Sequence, residues 1–172
     1  MVSSVILIVA GVSGSGKTTV GALVAGRLQW QFADADTFHP PENVEKMRAG
    51  IPLTDEDRQP WLHAIEDWMD TQLSAGHSGV VTCSALKRAY RDELLDGRPD
   101  VTMRFLLVSR AALERRVSAR PDHFFPRQLL DSQLAALEPP APDERVLTVP
   151  AEGDSADTAA GVIAAVWPHG VP

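Results

Sequence analysis

Several marks of familiar protein classes are scarce or missing in this chain. Cysteine occurs once in 172 residues, at Cys83, so no disulfide can form within the chain and a reducing compartment is the natural expectation. Positive charge is in deficit: 16 Lys plus Arg stand against 23 Asp plus Glu, a formal charge of −7. That balance argues against a nucleic acid or an anionic membrane as partner, and any anionic substrate must be gripped by local cations. Long apolar runs are missing too. The run Val5-Ile6-Leu7-Ile8-Val9-Ala10 has no basic leader before it and enters a glycine-rich loop too soon to span a membrane; a cytoplasmic protein is expected. Internal repeats, low-complexity tracts and clear linkers are absent, so the expectation is one domain, 1–172, large enough to bury a sizeable core.

What is present centres on Gly11-Val12-Ser13-Gly14-Ser15-Gly16-Lys17-Thr18, which meets the pattern G-x-x-x-x-G-K-[ST] at every fixed position. The apolar run before it reads as a buried parallel strand, and Val20 to Leu28 after it as an amphipathic helix. Strand, loop and helix together make a phosphate-binding P-loop. Glycines admit backbone angles closed to other residues, so successive N–H groups of residues 11–18 turn inward as an anion nest at a helix N-terminus. Lys17 then reaches the β- and γ-phosphates of a nucleotide, and the Thr18 hydroxyl suits Mg²⁺.

The remaining chain alternates strands with helices. Gln31 to Asp34 reads as the end of a second strand, with Pro40-Pro41 opening a helix to Arg48. Thr54-x-x-Asp57 forms a capping box for a helix over roughly 55–74, whose Trp61, Leu62, Ile65, Trp68, Met69 and Leu73 recur at helical spacing as core. Strands are expected at 79–83, 101–108 and 145–149, and helices at 87–95, 111–119, 128–137 and 155–166. The fold class is therefore α/β, a parallel five-stranded sheet with helices on both faces. Arg120 to Pro126 break the periodicity.

A P-loop alone does not distinguish a transferase, a GTPase and a motor. The chain is short for a motor and lacks an Asn-Lys-x-Asp guanine signature, which leaves a small kinase holding its acceptor in its own pocket. Such an enzyme needs a carboxylate for the acceptor hydroxyl and groups to hold Mg²⁺. Asp34 and Asp36 follow the second strand, at the carboxyl edge where α/β sheets bind ligands. If that segment is extended, its alternation sets both on one side, one for the metal and one for the substrate.

At this point the chain resembles a family. Beyond the P-loop, the blocks Asp34-x-Asp36-x-x-His39-Pro40, Asn43-x-x-Lys46-Met47 and Gly50-x-Pro52-Leu53-x-Asp55-x-Asp57-Arg58-x-Pro60-Trp61-Leu62 are similar to the thermoresistant-type gluconokinases. So are Cys83-Ser84-Ala85-Leu86-Lys87, Tyr90-Arg91-Asp92 and His123-Phe124-Phe125. Those enzymes are P-loop small-molecule kinases related to shikimate kinase. Asp122 departs from the family pattern, which has glycine before His123. The resemblance implies transfer of phosphate from ATP, with Mg²⁺, to D-gluconate, giving 6-phospho-D-gluconate, and a homodimer. It also implies the three-layer P-loop kinase fold, with an acceptor-binding segment around 36–75 and a small lid around 120–127.

Gluconate is a polyol with one carboxylate, and the planar Arg58 suits it bidentately. His39 either donates to a hydroxyl or merely finishes the turn, and Lys87 is expected to approach the substrate. Arg91 either approaches it too or faces solvent, and Cys83 is inert packing. Lys17, Asp36 and Arg120 form the expected catalytic set, with Arg120 closing over the phosphates. Asp34 joins Thr18 at the metal, the reverse division between Asp34 and Asp36 staying open. The rival readings are a kinase for shikimate or another small hydroxy acid, and a module that binds ATP without transferring phosphate.

Overall fold

The computed structural model describes residues 3–119 and 127–167. Its centre is a five-stranded sheet in the order β2-β3-β1-β4-β5, with every neighbouring pair parallel. The strands are β1 (Ile6–Ala10), β2 (Gln31–Asp34), β3 (Gly79–Cys83), β4 (Val101–Leu107) and β5 (Val146–Pro150). Around them lie α1 (Lys17–Leu28), α2 (Pro41–Arg48), α3 (Asp55–Ser74), α4 (Arg88–Leu95), α5 (Arg110–Ser118), α6 (Arg127–Ala136) and α7 (Ser155–Val166). The five strands and seven helices match the sequence reading to within a residue at each end, except that α1 begins at Lys17, three residues before Val20. A 3₁₀ turn, Ala35–Phe38, was not anticipated.

Side-chain alternation explains the layers. Every residue of β1 is buried. Ile6, Ile8 and Ala10 face one way, into a cluster with Trp61, Leu62, Ile65 and Met69 of α3 and Leu94 of α4. Leu7 and Val9 face the other way, against Val20 and Val24 of α1 and Ala159 and Val162 of α7. A strand covered on both faces must be apolar throughout. A third cluster joins Val12 and Leu86 to Leu113 of α5 and Leu130 of α6, beneath the loops at one end of the sheet.

This topology places the site. From β1 the chain goes first to β2 and β3 on one side, then to β4 and β5 on the other. The carboxyl end of β1 is thus the point where the winding reverses and a crevice opens, and the P-loop leaves β1 there. Gly21 lets α1 lie close on the sheet: a Cβ there would stand 2.6 Å from Thr82 Cγ2 and 3.2 Å from the Phe32 ring. That close approach brings the start of α1 beside the ends of β2 and β3. Among the described residues, no helix is long and apolar enough to cross a membrane.

Candidate active site

The P-loop has the geometry an anion nest needs. Gly14 and Gly16 sit at φ +82° and +87°, left-handed angles favoured by glycine, and Gly16 caps α1. A Cβ at Gly11 would stand 2.6 Å from Ser15 Oγ, so the turn also closes too tightly there for a side chain. Val12 is part of the core. Lys17 is buried, its Nζ 3.5 Å from the Val12 carbonyl.

Thr18 begins the acidic side of the site. Its hydroxyl donates to Asp34 Oδ2 at 3.2 Å, while the Thr82 hydroxyl and the Asp36 backbone N–H donate to Oδ1 at 3.2 and 3.0 Å. The Asp34 carboxylate therefore caps the 3₁₀ turn and sits against the P-loop threonine. This corrects the expectation of extended alternation. The strand ends at Asp34, and the turn carries Asp36 onward to the cleft wall. Trp61 pins the turn from below, its indole N–H donating to the Ala35 carbonyl at 2.7 Å.

A cleft of about 180 Å³ opens between the P-loop and the acceptor side. Ser13, Gly14, Gly16, Lys17 and Thr18 line one wall; Asp36, His39, Arg58 and Lys87 line the other. The residues of the 36–75 segment that reach it run from Asp36 to Arg58, and beyond them α3 turns Trp61, Leu62, Ile65 and Met69 to the core. Gly11, Val12, Ser15 and Asp34 stand behind the lining. Arg120, Asp122 and the expected lid up to residue 126 lie outside the described residues.

The cationic corner is built on one ring. Arg58 Nη1 donates to the Leu53 carbonyl at 2.8 Å and to the Tyr90 hydroxyl at 3.3 Å, with its guanidinium 5.6 Å from the Tyr90 ring centre. Among the described residues, Nε and Nη2 of Arg58 make no hydrogen bond, so an edge of the fork stays open to a ligand. Lys87 binds Asp55 at 2.9 Å, and the Tyr90 hydroxyl donates to the same carboxylate oxygen. These two hydrogen bonds, Tyr90 first, hold the Asp55 carboxyl below its ordinary pKa.

His39 stacks on Trp61, ring centres 4.6 Å apart and planes within 6°. Desolvation, and then the charge of Arg58, lowers its pKa from 6.5 to about 4, so the ring is neutral at pH 7. Asp57 completes the capping box with Thr54 and binds Lys46 at 2.8 and 2.9 Å, joining α2 to α3.

Arg91 departs from both expectations. It is fully buried, paired with Glu144 at 2.7 and 3.1 Å, and donates to the carbonyls of Ala85 and Leu86 at 3.0 and 3.1 Å. Its position in α4 aims it under the β3–α4 loop, away from the residues that line the cleft. That loop needs holding, because Ala85 adopts φ +45°, a left-handed angle that strains a residue with a Cβ. Cys83 is buried packing, as expected, with burial raising its thiol pKa to about 12.

Other contributors had no signal in the sequence. Gln133 of α6 accepts from the Ser13 backbone N–H at 2.7 Å. Arg116 of α5 donates to the Gly14 and Ser15 carbonyls at 3.3 Å and to the Ala151 carbonyl at 2.7 Å, tying the P-loop to the β5–α7 loop. A second cleft lies there, sharing Gly14, Gly16 and Thr19 with the first and walled by Arg116, Asp154 and Thr158. Asn43 and Tyr90 stood in the resembling blocks without a reason attached to them.

Comparison with known proteins agrees with this geometry. The AAA domain family model matches residues 6–140. Gluconokinase from Gluconobacter oxydans is 50% identical, covering 85% of this chain and 82% of its own. Thermoresistant gluconokinase from Escherichia coli is 42% identical over 89% of this chain and 90% of its own. The crystal structure of a gluconokinase from Sinorhizobium meliloti superposes with a TM-score of 0.81 at 42% identity, covering 94% of this chain and 90% of that one. With a P-loop facing a polyol-sized, cation-lined pocket and relatives of this closeness over most of its length, the chain belongs to the gluconokinase family of P-loop kinases.

Proposed function

We propose that this protein transfers the γ-phosphoryl group of ATP to D-gluconate, giving ADP and 6-phospho-D-gluconate. The observation that carries the reading is one cleft lined on one side by the P-loop and on the other by Asp36, His39, Arg58 and Lys87. Donor and acceptor sites face each other there, so the reacting atoms meet without leaving the protein.

The roles follow from position. The phosphates lie in the loop of residues 11–18, with Lys17 supplying full positive charge to the transferring group. The nucleoside extends into the second cleft beside Arg116, which opens off the same loop. The open edge of Arg58 takes the gluconate carboxylate, supported by Lys87. Asp36, on the acceptor wall, orients and deprotonates the attacking hydroxyl. Thr18 Oγ1 and Asp34 Oδ2 converge at 3.2 Å, and this pair of hard oxygen donors fits Mg²⁺ shared with substrate phosphates. When bound there, the ion offsets negative charge on the phosphates. Arg120, in the expected 120–127 lid, adds a cation over them. The protein is further read as one domain, a homodimer and cytoplasmic.

A substrate panel coupled to ADP release tests the proposal. Turnover is expected with gluconate and ATP–Mg²⁺. Preference for shikimate or another hydroxy acid would replace the substrate, and no turnover with any polyol acid would leave a module that binds ATP without using it.

A further inference from the structure

An imidazole beside an acceptor hydroxyl has two distinct uses. With a bare nitrogen facing the substrate it is a base; with an N–H it is a donor to hydroxyl or carboxylate oxygen. For His39 the neighbours decide which. Asn43 is buried, and its amide nitrogen makes two contacts: it donates to the Asp57 carbonyl at 2.8 Å and lies 3.2 Å from His39 Nδ1. A carbonyl oxygen only accepts, so the atom facing it is the NH₂ group and not the amide oxygen. The second hydrogen of that group points at Nδ1, which must be bare to receive it. A neutral ring with a bare Nδ1 carries its proton on Nε2.

The surroundings leave this arrangement little freedom. The Asp57 backbone belongs to the first turn of α3, and its side chain is held by Thr54 and Lys46. Stacking on Trp61 fixes the plane of the ring. Among the described residues Nε2 makes no hydrogen bond, and the ring forms part of the cleft wall.

We propose that Asn43 is a positioning residue that fixes His39 as a neutral Nε2–H donor to an oxygen of the acceptor, so that His39 recognises substrate and cannot be the base of the transfer. The proposal rests on reading this cleft as the gluconate site. Protonating the ring would set two N–H groups against each other at Asn43, and the lowered pKa of His39 runs in the same direction. With His39 confined to donating, Asp36 is left as the base on that wall.

Two-bond ¹H–¹⁵N spectra of the labelled, ligand-free protein near neutral pH test the geometry, with the His39 ring assigned by its loss in His39→Gln. The expected pattern is a protonated Nε2 and a bare Nδ1. Protonation at Nδ1, alone or with Nε2, overturns the proposal whatever the substrate. Kinetics test the consequence. Asn43→Leu is expected to mix the His39 tautomers and raise the gluconate KM roughly five- to tenfold, the net worth of one neutral hydrogen bond, with the ATP KM unmoved. His39→Leu should show the same loss, and His39→Gln, which returns an N–H near the place of Nε2, should recover most of it. An unchanged gluconate KM in His39→Leu, or an equal rise in both KM values, overturns the donor role. If Asn43→Leu does not fold, the wild-type spectrum and the two His39 variants still decide. A wild type inactive on gluconate would sink the substrate reading alone, because the spectrum is taken without substrate.

Discussion

Arg91→Met removes the cation from a pair in which both side chains are almost wholly hidden, at 0% and 2% exposure. Breaking such a pair leaves an uncompensated buried charge and costs about 3–5 kcal/mol. The Ala85 and Leu86 carbonyls lose their donor in the same stroke, which places the loss toward the upper end of that range. Against a total stability of about 5–15 kcal/mol, this is a large fraction. Urea unfolding followed by circular dichroism measures it. The pH dependence checks the cause. In the wild type the hydrogen bonds from Arg91 hold the Glu144 pKa below its ordinary 4.5. The pair therefore stabilises fully above that value and fades as pH falls through the depressed folded pKa. Without Arg91, burial pushes the Glu144 pKa up, so the variant recovers ground as its carboxyl takes a proton. The gap between the two proteins is expected to narrow on acidification, and Arg91→Met/Glu144→Leu should be more stable than Arg91→Met. A loss under about 1 kcal/mol, or a gap that widens in acid, refutes the account.

The other expectations concern the cleft. Lys17→Ala should abolish transfer with an unchanged dichroism spectrum, and near-normal activity would unseat the P-loop assignment. Arg58→Lys keeps the charge and loses the fork, so the gluconate KM should rise strongly and the ATP KM little; equal effects would make Arg58 structural. Asp36→Asn should lower kcat by roughly 10²–10⁴ and ignore added Mg²⁺, whereas rescue by metal would move the base role to Asp34. The His39 pKa is lowered from 6.5 to about 4, so the stability it contributes is complete above 6.5 and declines as pH falls toward 4. Titrations of wild type and His39→Gln should differ in that window.

The sequence was most informative where local rules decide structure. Thr54 and Asp57 announce a helix start, and both capping bonds form. The central strand β1 announces itself by an unbroken apolar run, and the P-loop by glycines whose angles other residues resist. Asp34 and Asp36 were found by placement, but the 3₁₀ turn between them depends on Trp61 reaching Ala35 from 26 positions away, which periodicity does not encode. Arg91 was misread for a related reason: on a short helix a charged residue looks solvated until Glu144, 53 positions on, appears beside it. Gln133 and Arg116 act through backbone atoms of the P-loop, so no pairing of side-chain types marks them. Asn43 stood in a recognised block, yet its use requires knowing that both the Asp57 carbonyl and the His39 ring lie within its reach.

The stacking of His39 on Trp61 makes part of this site visible in light. An excited indole is quenched far more strongly by imidazolium than by neutral imidazole, so Trp61 emission carries the charge state of the ring above it. The other described tryptophans sit elsewhere: Trp30 meets Trp167 edge-on, ring centres 5.2 Å apart, and Trp68 packs toward Gly79. Subtracting the spectrum of a Trp61→Phe variant isolates the signal from the acceptor wall. Emission should dim as pH falls through about 4 and shift when a bound polyol acid changes the polarity around the ring. The acceptor half of the cleft thus carries its own fluorophore, and its occupancy can be followed in real time without a label or a coupled enzyme.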